Sequence, residues 1–115
     1  APAIDAVPKD IVLCDWHYSA MGRFPSVKYL QEKGFRVWPS GWNSDANARN
    51  LATRALEAMG PKMVGYLATT WYGTTSVTAA LADEPVPAAE RDALAGIAAG
   101  VRTGARLAWE GLPRG

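Results

Sequence analysis

The chain has 115 residues, enough for one small domain and a single core but well short of the roughly 250 that a closed (β/α)8 barrel needs. Its 12 basic and 11 acidic residues leave a net charge of +1, which gives no electrostatic footprint for nucleic acid or an anionic membrane, so neither is expected as a partner. No stretch approaches the roughly 18 consecutive apolar residues of a membrane helix, and the single cysteine, Cys14, excludes an intramolecular disulfide.

Residues 1–9 form a polar, Pro-spaced lead with neither an initiator methionine nor the basic-then-apolar order of a signal peptide, which predicts a segment cut from a longer parent. The run Ile11-Val12-Leu13-Cys14 has the length and β-branching of a strand buried on both faces, with Cys14 as a buried, inert thiol. It ends in Asp15-Trp16-His17-Tyr18. A loop holding Gly22 and Pro25 follows, then a helix over residues 26–33 closed by Gly34 at its C′ position. Next come a short strand over residues 35–38 and a loop from Pro39 to Asn43. Ser44 caps a second helix, whose Leu51, Ala52, Ala55, Leu56 and Met59 fall at helical spacing and which Gly60-Pro61 stops. A third strand over residues 63–69 runs into Thr70-Trp71-Tyr72-Gly73.

Strands alternating with helices predict an α/β fold in which residues 10–82 make three parallel βα units with right-handed crossovers. Residues 83–115 predict a linker, Asp83 to Pro87, and one long C-terminal helix over about 88–109 with an apolar stripe at Leu94, Ile97 and Val101.

In parallel α/β folds ligands bind beyond the carboxyl ends of the strands. Each predicted strand carries an aromatic cluster there: Trp16, His17 and Tyr18 after the first, Trp38, Trp42 and Asn43 after the second, Trp71 and Tyr72 after the third. A tryptophan face suits the C–H face of a pyranose, while Asp, His, Asn and Tyr can bond the hydroxyls at its edge. Carbohydrate is therefore the predicted ligand class, with these residues and Asp15 as candidate contacts; the other use for such rings is to plug a barrel mouth. Asp15 and His17, two apart on an extended chain, project to one side, so the carboxylate can orient the imidazole. One histidine and one cysteine do not make a zinc set, and no G-x-S-x-G, G-x-x-x-x-G-K or G-x-G-x-x-G pattern occurs, so no metal or cofactor is expected. Among the remaining acids, Asp45 and Glu90 stand at helix starts and Asp83 and Glu84 in a loop; none is predicted to be catalytic.

Together the stretches DIVLCDWHY (residues 10–18), GFRVWP (34–39) and GYLATTW (65–71) resemble the last strands of the catalytic domain of glycoside hydrolase family 20, the β-N-acetylhexosaminidase group, over residues 10 to about 73. The resemblance implies that the three units come from the C-terminal part of a TIM-type barrel, that the ligand is an N-acetylhexosamine-type sugar, and that Trp16 and Trp71 wall its pocket. It implies no catalytic residue in this chain. The family's catalytic Asp-Glu pair lies on an earlier strand, and the acid usually found after the last strand's tryptophan is replaced by Tyr72 and Gly73. Substrate-assisted hydrolysis, in which the acetamido group attacks the anomeric carbon while an acid protonates the leaving oxygen, needs those residues, so the chain alone is expected to be inactive.

Two further readings stand beside this one. A non-catalytic sugar-binding or scaffold domain can keep the same strands, and a flavodoxin-like domain is disfavoured because no Gly-rich phosphate loop follows any strand. Strands cut from a barrel leave open edges and an uncovered apolar face, so self-association, or the rest of the parent barrel, is expected to cover them.

Overall fold

Three parallel strands form one sheet in the order β1-β2-β3 in a computed structural model that describes residues 2–111. Ala1 of the predicted lead and residues 112–115 of the predicted C-terminal segment lie outside the described residues. The elements are β1 (Val12–Trp16), α1 (Pro25–Glu32), β2 (Arg36–Gly41), α2 (Asp45–Glu57), β3 (Leu67–Ala68), α3 (Thr74–Leu81) and α4 (Arg91–Glu110), with 3-10 turns at Ala3–Ala6 and Ala88–Glu90. The start of the long helix predicted at residue 88 is thus a 3-10 turn.

Local chemistry sets most of these boundaries. Pro25 opens α1, where a missing N–H is harmless, and Gly34, at a φ of 90°, takes the left-handed conformation that ends it. The Ser44 side chain accepts from the N–H of Asn47 and caps α2. Phe24, Val27 of α1 and Leu51 of α2 form one buried cluster with Met63 and Tyr66 against it. Val77 of α3 and Leu94 and Ile97 of α4 form a second, on which Trp42 packs. The overall extents, 51 × 36 × 22 Å, are those of a slab whose thin direction fits one sheet and one helix layer at about 10 Å each.

Three strand predictions need correction. β1 contributes no buried residue; Cys14 and Trp16 are exposed. The strand is at the sheet edge, and its even-numbered positions face away from the helices, so the expected two-sided burial and the buried thiol do not hold. β2 runs on through Pro39 to Gly41. Proline is tolerated there because it falls between the Val37–Met63 bridge and the Ser40–Leu67 pair, where β3 makes no ladder bond. The third strand, expected over residues 63–69, shrinks to that bridge and the pair Leu67–Ala68. Gly65, at a φ of 138°, breaks it by turning Tyr66 out of the sheet toward α4. Met59, expected on the apolar stripe of α2, is also exposed, because it lies beyond the helix end.

The outer edges of β1 and β3 have no strand neighbour among the described residues. Self-association through such edges has a direct test: light scattering at increasing concentration should report a mass above that of the monomer. A monodisperse monomer that unfolds cooperatively would remove the expectation.

Candidate aromatic site

The parallel register pairs Cys14 with Trp38 and Trp16 with Ser40, so these four side chains share the sheet face turned away from the helices. Trp16 ends β1 on that face and is 54% exposed. Its ring lies 6.0 Å from Tyr18, nearly parallel to it, and 5.3 Å from Trp71, edge to face. Tyr18 in turn lies 5.2 Å from Trp42. The predicted strand-end clusters thus converge through one residue or two each: Trp16 and Tyr18 after β1, Trp42 after β2, Trp71 after β3.

Hydrogen bonds fix the edges of this group. Trp71 Nε1 donates to the Tyr18 hydroxyl at 2.7 Å, and Trp42 Nε1 donates to the Thr70 carbonyl at 3.2 Å. Thr69 Oγ1 donates to the Gly41 carbonyl at 2.7 Å, which ties the start of the third loop to the end of β2. Trp71 has a φ of 55°, a left-handed conformation that costs a tryptophan about 1 kcal/mol or more, and the residue is 61% exposed.

The other predicted contacts are placed differently. Trp38 lies within β2 rather than after it, on the same face as Trp16 but two residues, about 7 Å, nearer the amino ends of the strands. Neither Asn43 nor Tyr72 has a ring or side-chain partner in the aromatic group; Asn43 contributes its backbone carbonyl to the packing of α4. Asp15 and His17 do meet, with Oδ2 and Nε2 3.0 Å apart, but behind the sheet, each less than a fifth exposed. Odd positions of β1 point toward α1. There Ser26 Oγ donates to Asp15 at 2.7 Å and lies 2.9 Å from His17 Nε2, while the imidazole sits edge-on to Phe24.

That Asp-His-Ser contact is not a nucleophilic triad. In a triad one imidazole nitrogen faces the serine and the other the carboxylate. Here both contacts fall on Nε2, and the serine proton goes to the carboxylate, so the three side chains satisfy one another and lock the start of α1 to the end of β1. Ser26 escaped the sequence reading; its position just after Pro25 at a helix start is the signal that could have found it.

Two more residues were missed. Asn47 is fully buried and bonds both the β1 and β2 loops. Tyr66, whose ring lies against Gly104 of α4, has a hydroxyl with no partner among the described residues, and burial pushes its pKa up to about 12. No protein-family model matches the chain, and no curated protein matches it.

The aromatic group offers stacking surface without charge. Asp15 and His17 are engaged behind the sheet, and no group of three or more His, Cys, Asp or Glu side chains that could hold a metal ion exists among the described residues. A surface groove lies elsewhere, between α1 and the end of α2, and is lined by Arg23, by Lys28 and Glu32, 3.6 Å apart, and by the Arg54–Glu57 pair. Those two pairs balance and Arg23 adds one positive charge, and the groove holds no exposed aromatic face. No helix among the described residues is long and apolar enough to cross a membrane.

Proposed function

We propose that this chain is the C-terminal part of a hexosaminidase-like glycoside hydrolase barrel, supplying the aromatic walls of a sugar pocket while lacking the catalytic acids. The observation that carries the proposal is the ring group at the carboxyl ends of three parallel strands, with Trp16 and Trp71 more than half exposed. Two rings set edge to face offer one open face for a pyranose and a second wall beside it. Tyr18 and Trp71 are already hydrogen-bonded to each other, so the walls hold their angle before ligand arrives, which lowers the ordering cost of binding. An N-acetylhexosamine suits this surface, because its acetamido methyl adds apolar area to the ring face. The engagement of Asp15 behind the sheet favours a binding role over acid catalysis for the chain by itself.

Titration with N-acetylglucosamine oligomers should give a saturable change in tryptophan emission. Trp16→Ala and Trp71→Ala should each weaken binding about two- to twelvefold, the worth of one aromatic contact of about 0.5–1.5 kcal/mol. The purified chain should not hydrolyse chromogenic N-acetylglucosaminides. Emission that ignores millimolar sugar would remove the binding proposal, and turnover that copurifies with the chain would remove the non-catalytic one.

A further inference from the structure

On the reading that the aromatic end binds sugar, we infer that Asn47 is the positioning residue that sets the ring spacing, acting through the backbone of two loops. Asn47 lies in the first turn of α2 and has no exposed surface. Both hydrogens of its side-chain amide are used: Nδ2 donates to the His17 carbonyl at 2.7 Å and to the Ser19 carbonyl at 3.0 Å. Those two carbonyls flank Tyr18. The amide oxygen accepts from the Trp42 N–H at 2.9 Å. One side chain therefore grips the residues on either side of Tyr18 and the backbone of Trp42, the two rings that stand 5.2 Å apart at the centre of the group.

The chemistry of this grip admits asparagine and little else. Two donors and an acceptor on a two-carbon arm are all in use, and no other side chain of that length supplies both. Aspartate keeps the acceptor, loses both donors and brings a charge into a fully buried place; glutamine overshoots by a methylene. Nor is there room to shift, since a Cβ at the neighbouring Gly41 would stand 2.7 Å from Asn47 Oδ1. Tyr18 then passes the constraint on, because its hydroxyl accepts from Trp71 Nε1. Ring positions on three separate loops thus trace back to one amide on a rigid helix, the arrangement by which a site is held to within a fraction of an ångström.

A purely structural asparagine would contribute stability and leave the ring geometry of the folded protein alone, so the test separates the two. Asn47→Asp should still unfold cooperatively, at lower temperature, but lose the near-ultraviolet circular dichroism of the coupled rings and expose more tryptophan to acrylamide. Its affinity for N-acetylglucosamine oligomers should fall about tenfold, or about 1.4 kcal/mol, as the ring spacing is lost. A folded variant with unchanged aromatic dichroism and quenching would overturn the inference. Wild-type protein gives a second readout that needs no variant to fold: the Asn47 side-chain amide and the Trp42 N–H should exchange with solvent as slowly as β2 amides. Exchange at the rate of open loops would overturn it equally. Should wild type bind no sugar, the functional proposal falls, while the dichroism and exchange still decide the role of Asn47.

Discussion

Gly100→Val should destabilise the protein by about 3 kcal/mol or more, and Gly100→Ala should destabilise it too, although helix propensity alone favours alanine over glycine by about 1 kcal/mol. The opposition of signs makes the result diagnostic. A Cβ at Gly100 would stand 2.5 Å from the Trp42 carbonyl oxygen and 3.3 Å from that of Ser44. A Cβ at Gly96 would stand 2.5 Å from the Asn43 carbonyl oxygen, and one at Gly104 would enter the Tyr66 ring. Glycines at every fourth position thus form a smooth ridge along which α4 lies directly on the loop after β2, through Gly96 and Gly100, and on the Tyr66 ring, through Gly104. Backbone atoms cannot rotate aside as a side chain can, so an added methyl must lift the helix and loosen Leu94, Ile97 and Leu107, all essentially buried. Urea unfolding of the two variants measures the effect. An alanine variant as stable as wild type would mean that the helix is free to shift. Because the same loop carries Trp42, a lifted helix should also weaken the aromatic dichroism.

The order of elements was legible because each boundary has a local cause: Ser44 as a cap, Gly34 and Gly60-Pro61 as stops, alternating strands and helices as the sign of a parallel sheet. The convergence of aromatics followed from topology, since residues just past parallel strands must gather at one end. Beyond that, local signals ran out. Whether Trp38 stood at a strand end or within the strand depended on how far β2 continued, and Pro39 was a misleading stop because β3 leaves a gap opposite it. Two-fold spacing placed Asp15 and His17 together but could not say on which side of the sheet. Asn47 looked like an ordinary first-turn residue, and its partners lie 28 and 30 positions away at Ser19 and His17. The glycine spacing at 96, 100 and 104 was visible, but what lay against it was not.

Tyr66→Phe should stabilise the protein, and the gain should grow in alkali. The Tyr66 hydroxyl is buried with no partner among the described residues, and a Cβ on Gly41 would collide with it. An unpaired buried polar group costs about 1 kcal/mol or more, so removing the oxygen while keeping the ring should recover about that much at neutral pH. Burial also raises the phenol pKa from 10.0 to about 12 in the folded state. A raised pKa means that folding favours the protonated form, so this contribution is fully present below pH 10, where both states carry the proton. It is lost as pH rises toward 12, because the unfolded chain releases its proton first. Two units of difference correspond to at most about 2.7 kcal/mol. Unfolding free energies of wild type and Tyr66→Phe, measured in urea from pH 7 to 12, should therefore run parallel up to about pH 10 and then diverge, the phenylalanine variant keeping its stability longer. A variant less stable than wild type at pH 7 would show that the hydroxyl has found a partner, and curves parallel to pH 12 would show that the phenol reaches solvent.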